Sequence, residues 1–151
     1  MNRKGFTLLE LVVVIIILGI LATLGIGQYL TMVERSRGAE ARNILGQVRS
    51  AAAAHYLEYG TLTAVAPAPA FDNTRAGIGT TALGMIPTAG ACASTHFFAY
   101  TVVPSSASAF GATATRCTAG GKTPQGPSGL TLVLTTNLQT GSDTWSGTGG
   151  Y

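Results

Sequence analysis

The chain has 151 residues, of which 10% are charged and 46% hydrophobic, and its formal net charge at pH 7 is +3. This length leaves room for one small globular domain beside a long helix. So small an excess of positive charge is weak support for a nucleic-acid-binding protein. A surface with so few charges suits dense packing against copies of the same protein better than free solubility.

A short basic segment at the start of the chain precedes a long apolar segment. Arg3 and Lys4 supply the basic charge, and no charged residue occurs in 11–33. A bilayer crossing needs about 20 such residues, so this segment is long enough to span a membrane. Basic residues on its N-terminal side predict that this end of the chain stays in the cytoplasm.

One acidic residue, Glu10, stands at the entrance to the apolar segment. A carboxylate at the centre of a membrane helix costs roughly 2.5–3.5 kcal/mol, so a chain that needed only an anchor would not place one there. We therefore expect Glu10 to be a functional residue that pairs with a cation. The alternative is a carboxylate that stays solvated among the lipid headgroups.

Three interpretations of the N-terminal segment are open on these grounds. The first is a plain membrane anchor. The second is a secretory signal peptide cleaved near Gly25 and Gly27, although Glu10 and the length of the apolar segment count against it. The third accounts for Gly5, Phe6 and Glu10 together.

The stretch KGFTLLELVVVIIILGILA, residues 4–22, resembles the N-terminus of type IV pilins and of the pseudopilins of type II secretion systems. The resemblance implies that residues 1–5 are a leader, and that a membrane aspartic protease, prepilin peptidase, cleaves after Gly5. It further implies that the enzyme methylates the new N-terminal residue, Phe6. Glu10 would then pair with the N-terminal ammonium of a neighbouring subunit during assembly.

The helix is expected to continue beyond the apolar part. Residues 6–33 would form a membrane or fibre-core half and residues 34–60 an amphipathic half, ended by Gly60. One stripe of the amphipathic half has apolar residues at steps of three or four. These are Ala41, Leu45, Val48, Ala52, Tyr56 and Tyr59.

Glycines interrupt the apolar half. Relatives in the pilin family commonly carry a proline about where Gly27 stands, whereas this chain has Gly19, Gly25 and Gly27. Each glycine weakens a helix interior by roughly 0.5–1 kcal/mol relative to alanine, which predicts that 19–27 is the soft segment of the helix. The alternative is that small residues let helices pack closely.

A connecting loop at 61–95 and a β-sheet at 96–151 are expected to follow. Proline and glycine punctuate the loop. Alternating β-branched, aromatic and small residues predict strands at 96–103, 109–117 and 130–135, with a short element around Trp145. The predicted fold is α+β and type IV pilin-like, with a long N-terminal α-helix whose C-terminal half packs on a small antiparallel sheet.

The two cysteines, Cys92 and Cys117, are expected to form a disulfide bond. The anchor would send most of the chain out of the cytoplasm, where disulfides persist. Closing a loop of about 25 residues would stabilise the domain by roughly 3.5 kcal/mol. The bond would join the entry of the first strand to the end of the second.

Motifs for catalysis or metal binding fail on inspection, so we expect no enzyme activity, no cofactor and no metal. Lys122 follows a glycine as in a phosphate-binding loop, but Arg116 occupies the earlier glycine position. His55 and His96 lack acids or cysteines at ligand spacing and are expected to be packing or surface residues. Asp143 could supply one calcium ligand, but calcium needs six to eight oxygen ligands.

The resemblance implies a structural subunit of a type IV pilus, polymerised through its N-terminal helix into a surface fibre for adhesion, motility or DNA uptake. The alternative is a pseudopilin, whose periplasmic fibre would drive protein export by type II secretion. A DNA-binding receptor subunit is a third class, but Arg75, Arg116 and Lys122 are scattered in the sequence and do not predict a basic patch.

The implied partners are copies of the chain itself, prepilin peptidase, and the inner-membrane assembly platform with its ATPase. The membrane is a partner before assembly, and no specific nucleic acid is expected. The precursor is expected in the inner membrane as a single-pass protein with a cytoplasmic N-terminus.

Overall fold

The structure is a computed structural model that describes residues 5, 7–77, 83–86, 90–149 and 151. The elements in these ranges are α1 (Leu8–Tyr59), α2 (Asn73–Ala76), β1 (Phe98–Pro104), β2 (Ala109–Arg116), β3 (Thr131–Asn137) and β4 (Ser142–Gly147). A long N-terminal helix is thus followed by a four-stranded antiparallel sheet, and the predicted α+β fold is confirmed.

The chain divides between Arg35 and Ser36 into two compact units, the N-terminal unit and the C-terminal unit. In the described part of the N-terminal unit, the first half of α1 is helical and its side chains are exposed up to Met32. The apolar surface of this half-helix therefore finds no partner within its own unit. It requires lipid or another protein chain to cover it.

The core of the C-terminal unit forms between the second half of α1 and one face of the sheet. The helix contributes residues at steps of three or four because such residues share one face. Those buried on it are Ala41, Ile44, Leu45, Val48 and Ala52. The strands contribute every second residue, as in Tyr100 and Val102 on β1 or Leu132 and Leu134 on β3.

The sheet is an antiparallel meander with the strand order β1-β2-β3-β4. Its register places Tyr100 opposite Ala114, and Ala114 opposite Leu132, so a large, a small and a large side chain alternate across the buried face. The last strand, β4, pairs with β3 alone and all its residues are exposed.

The first strand begins at Phe98, two residues later than predicted. The carbonyl of Phe97 accepts a hydrogen bond from the Cys117 N–H at 3.0 Å, and the carbonyl of His96 accepts one from the Lys122 N–H at 2.8 Å. Phe97 and His96 therefore bond to the segment after β2. They lie outside the regular pairing of β1 with β2, because β2 ends at Arg116.

The connecting segment, which was expected to be irregular, contains the short helix α2. The carboxylate of Asp72 caps this helix by accepting hydrogen bonds from the N–H groups of Thr74 and Arg75 at 2.9 and 3.1 Å. Asn73 at its start accepts a hydrogen bond from the Val102 N–H through its side-chain carbonyl. The segment therefore covers part of the free edge of β1.

Candidate assembly site

Glu10 lies in the first turn of α1 and is bonded to Thr7, the residue before the helix. One carboxylate oxygen of Glu10, Oε2, accepts hydrogen bonds from the Thr7 N–H at 2.9 Å and the Thr7 hydroxyl at 3.1 Å. The Glu10 N–H in turn donates to Thr7 Oγ1 at 3.3 Å. This reciprocal pattern is a capping box, which satisfies donors that a helix start otherwise leaves unpaired.

The capping box fixes the direction of the Glu10 carboxylate without burying it. The side chain is exposed, and the N-terminal end of a helix favours negative charge. A carboxylate has about four lone-pair positions, so Glu10 can accept a further bond from a cation while it caps the helix. Sequence reasoning missed Thr7, although the spacing Thr-x-x-Glu before an apolar run is the known sequence signature of this cap.

Gly5 is exposed, and a Cβ added there would meet nothing within 4 Å. The described fold therefore does not require a glycine at this position. The resemblance implies that this residue is a glycine because prepilin peptidase, a separate enzyme, requires one at the cleavage position. Phe6, the predicted cleavage and methylation residue, lies outside the described residues.

Gly19, Gly25 and Gly27 lie in the interior of α1, which is continuous through all three. A Cβ added to any of them would meet nothing within 4 Å. The described chain thus leaves both explanations for these glycines open, namely softening of the helix and close packing against another chain.

Two hydroxyl groups in the apolar half bond to the helix itself. Thr23 Oγ1 donates to the Ile20 carbonyl at 2.8 Å, and Thr31 Oγ1 donates to the Gly27 carbonyl at 3.1 Å. Polar groups must be satisfied internally in lipid, and these two are. The helix is also long and apolar enough to cross a membrane, and none of its most apolar window is buried.

The predicted disulfide between Cys92 and Cys117 is present, with the two Cα atoms 5.8 Å apart. It joins the segment before β1 to the residue that follows β2. Gly121 packs directly against it, since a Cβ at Gly121 would come within 2.4 Å of the Cβ of Cys117. The bond thus anchors the turn that leads to Lys122.

Around Phe97 the structure corrects one interpretation of the sequence. Arg116 and Lys122 do not scatter but meet at the Phe97 ring, with the guanidinium carbon of Arg116 5.1 Å and the Lys122 ammonium 4.9 Å from its centroid. Arg37 joins them from α1 at 5.2 Å. We call Arg37, Arg116 and Lys122 the cation cluster. Arg75 is not part of it.

Asp143 and His55 have structural partners. Asp143 forms an ion pair with Arg49 at 2.6 Å, so its carboxylate ties β4 to α1. His55 is 3% exposed and packs against Tyr59 and Phe71, with ring centroids 4.7 and 5.5 Å away. Burial, followed by the nearby positive charge of Arg75, lowers the pKa of His55 below its usual value. No cluster of three or more metal-ligating side chains occurs in the described ranges.

Comparisons with known proteins find a family motif at the N-terminus. The family model described as the prokaryotic N-terminal methylation motif matches residues 1–26, the part of the chain that contains Gly5, Phe6 and Glu10. Comparison with solved structures found no match.

Curated relatives are fimbrial and pilin subunits. Fimbrial protein EcpC of Eikenella corrodens is 36% identical over 144 residues, which are 95% of this chain and 80% of the relative. Type IV major fimbrial protein FimA of Dichelobacter nodosus is 45% identical over 49 residues, 32% of this chain and 31% of FimA. Type IV major pilin protein PilE of Neisseria gonorrhoeae is 37% identical over 76 residues, 50% of this chain and 41% of PilE. The chain therefore belongs to the type IV pilin family, which is a family of structural fibre subunits and not of enzymes.

Proposed function

We propose that the chain is a pilus subunit that is cleaved after Gly5, methylated at Phe6 and polymerised through α1 into a surface fibre. The observation that carries this proposal is the start of α1, where an exposed and oriented Glu10 carboxylate lies in the first turn of a half-helix with an apolar, uncovered surface. A membrane would cover that surface before assembly, and neighbouring copies of the same helix would cover it in the fibre.

Cleavage would create the cation that Glu10 needs. Removal of residues 1–5 turns the Phe6 nitrogen into an ammonium group, only one residue before Thr7. In a fibre core an unpaired carboxylate is costly, so a copy added in the wrong register would leave Glu10 without a partner. The pair would therefore select the register of addition more than it would add net stability.

Leader removal would also change the overall charge. Arg3 and Lys4 leave with the leader, so the side chains of the mature chain carry seven basic and six acidic groups, 9 − 2 against 6. The net charge of +1 favours close packing of many copies more than the precursor value of +3 does.

The proposed life cycle runs from the inner membrane to the cell surface. The precursor would span the inner membrane once with its N-terminus in the cytoplasm, and an assembly platform with its ATPase would extract and add each copy. Adhesion, motility or DNA uptake are activities that such a fibre would serve. The pseudopilin alternative has the same N-terminal features, but the relatives named above are fimbrial and pilin subunits and favour the pilus.

Mass spectrometry of material sheared from the cell surface tests the proposal. We expect an abundant peptide that begins at N-methylated Phe6 in the sheared fraction. The same peptide confined to the cell envelope would replace the surface fibre by a pseudopilin or a minor initiating subunit. A chain that retains Met1 in every fraction of an expressing strain would refute the processing and leave a plain anchor.

A further inference from the structure

The last strand, β4, is an edge strand whose outer side is open in the described part of the chain. The Thr148 N–H donates a hydrogen bond to the Thr131 carbonyl of β3 at 2.9 Å. Because bonded residues alternate along an antiparallel pair, the backbone groups of Asp143, Trp145 and Gly147 point away from β3. Among the described residues, no backbone group bonds to these outward N–H and carbonyl groups.

The opposite edge of the sheet, on β1, is closed by the chain itself. The outward carbonyl of Tyr100 accepts a hydrogen bond from the Gly90 N–H at 2.8 Å, and the outward N–H of Val102 donates to the side-chain carbonyl of Asn73. The segment before β1 therefore takes the place of a further strand. The fold thus blocks strand addition at β1 and leaves β4 available for it.

The sequence of β4 does not block strand addition either. Edge strands are commonly protected by lysine, by proline or by a charge that points inward. The sequence SDTWSG contains neither lysine nor proline. Its one charge, on Asp143, is neutralised by the ion pair with Arg49 on α1 at 2.6 Å. The outer edge of β4 is therefore a template on which another strand can pair.

The strand that fits this template is β4 itself. When two copies of β4 run antiparallel with Trp145 opposite Trp145, Asp143 of each copy lies opposite Gly147 of the other. The outward backbone groups then meet each other along the strand, and no two acids face each other. The two Trp145 residues, each 40% exposed and oriented by Arg42 at 5.7 Å, lie on one side of the joined sheet and cover each other.

We propose that β4 of one copy pairs with β4 of a second copy in this register, so that two sheets join into one. A strand of six residues makes a weak contact, but its repetition along two fibres would multiply the strength of binding. The contact is isologous, because the same strand is used by both copies.

The symmetry of the contact selects the copies that can make it. A two-fold axis perpendicular to the sheet relates the two strands, and the second half of α1 packs flat on that sheet. The axis therefore reverses the direction of α1 in the second copy. All copies in one fibre share a direction, so the second copy belongs to a fibre that runs the opposite way, as fibres from two facing cells do. This step rests on the proposed function and assigns β4 to contacts between fibres.

Single cysteines in the full-length chain test the register and the fibre direction together. The pairing places Thr144 of one copy opposite Ser146 of the other, with Cα atoms about 4.5 Å apart, within reach of a disulfide bond. Cells that make Thr144→Cys are mixed with cells that make Ser146→Cys and treated with copper phenanthroline, and the sheared fibres are blotted without reductant. We expect a dimer of the two variants in the mixture and at least about tenfold less dimer in either strain alone, where equal positions lie about 7–8 Å apart on the diagonal.

A mixture of Val133→Cys and Thr135→Cys cells is the matched control. These two residues lie on β3, on the same face as Thr144 and Ser146 and with the same spacing, but one strand away from the edge. They should give no more dimer than the unmixed strains. As much dimer in this control as in the test mixture would overturn the pairing, because cross-linking would then reflect random collisions of the sheet faces.

Trp145→Pro and Trp145→Ala test the function of the contact. Both variants lose the ring, but only proline also removes the outward N–H, and proline is tolerated on an edge strand where that N–H faces solvent. We expect the aggregated fraction of cells to fall by about tenfold or more for Trp145→Pro and by less for Trp145→Ala, since many weak contacts act together. The amount of sheared subunit should stay within about twofold of the wild type for both.

The remaining outcomes separate this contact from the proposed function. Normal fibres and wild-type aggregation in Trp145→Pro would overturn the contact and leave the pilus subunit intact. A cross-linked band at a mass other than twice that of the subunit would also overturn it, and would assign β4 to a strand of a different protein. Absence of sheared subunit from the wild type would overturn the proposed function together with the contact.

Discussion

Glu10 combines a local role with the proposed assembly role at a single residue. Its carboxylate bonds to the N–H and hydroxyl groups of Thr7, and this contact helps to start α1. A negative charge would serve both the cap and a neighbour's ammonium. The two roles can be separated, however, because glutamine can replace glutamate in a capping box but carries no charge.

We expect Glu10→Gln to abolish incorporation into fibres as completely as Glu10→Ala does. Both variants should still be cleaved and should remain in the membrane, because neither changes Gly5 or the apolar segment. The measurements are immunoblots of sheared and membrane fractions. Wild-type fibre yield from Glu10→Gln would contradict the charge-pairing mechanism and leave the cap as the reason for Glu10.

Gly5 gives a second prediction at the residue scale. A Cβ at this position meets nothing, so Gly5→Leu should leave the fold unchanged. A bulky side chain would block the peptidase subsite, and the uncleaved precursor should accumulate in the membrane. The shift in mass on a blot or by mass spectrometry measures this. Mature protein in the Gly5→Leu strain would refute the assigned cleavage position.

At the scale of elements, α1 has two halves with different physical roles. The first half exposes its apolar residues, and its threonine hydroxyls bond to its own carbonyls. The second half buries one stripe against the sheet. Softness is therefore expected only in the first half, where Gly19, Gly25 and Gly27 lie and the described side chains are exposed up to Met32.

We expect the triple variant Gly19→Ala, Gly25→Ala and Gly27→Ala to assemble into fibres that extend less under force. Each replacement stabilises a helix interior by roughly 0.5–1 kcal/mol, and nothing within 4 Å opposes the added Cβ atoms. Single-fibre pulling measures the extension. Unchanged extension would contradict the softening role, and loss of fibres would favour close helix packing instead.

The disulfide stabilises one end of the sheet. It connects the segment before β1 to Cys117, where the first two strands stop pairing. We expect the double variant Cys92→Ser and Cys117→Ser to lower the free energy of unfolding by roughly 3.5 kcal/mol and the melting temperature by more than about 10 °C. Circular dichroism of the detergent-solubilised chain measures the change, and an equal melting temperature would contradict it.

For the whole molecule, burial of His55 makes stability depend on pH. Its pKa is lowered in the folded state, first by burial and then by Arg75, whereas an unfolded histidine titrates near pH 6.5. Below about pH 6.5 the unfolded chain takes up a proton that the folded chain resists, so stability should fall as the pH falls. Above that pH both states are neutral and the effect disappears.

We expect the melting temperature to be lower at pH 5 than at pH 7.5, and this difference to shrink in His55→Phe, which keeps a ring between Tyr59 and Phe71. Thermal melts of both proteins at both pH values measure the effect. An identical pH dependence in the two proteins would show that His55 is not its source.

How much could be predicted from the sequence differs between elements. The strands were found because the alternation in segments such as the one around Leu132 reflects a buried face directly. The sequence does not predict the helix α2, because the helix has only four residues and no long apolar pattern follows its cap, Asp72. The sequence predicts too early a start for β1, because Phe97 is an aromatic residue of the kind that is common in strands. In the structure its carbonyl instead accepts a hydrogen bond from the Cys117 N–H, beyond the end of β2.

The fold class and the proposed N-terminal site could be inferred from local patterns of residues alone. Gly5, Phe6, Glu10 and the apolar run are neighbours along the chain, and helical or strand periodicity is a local property that needs no knowledge of distant contacts. Where the charged side chains meet depends instead on tertiary packing. Arg37, Arg116 and Lys122 lie far apart in the sequence, and they converge on Phe97 because helix packing, the register of β1 with β2 and the Cys92–Cys117 bond bring them there.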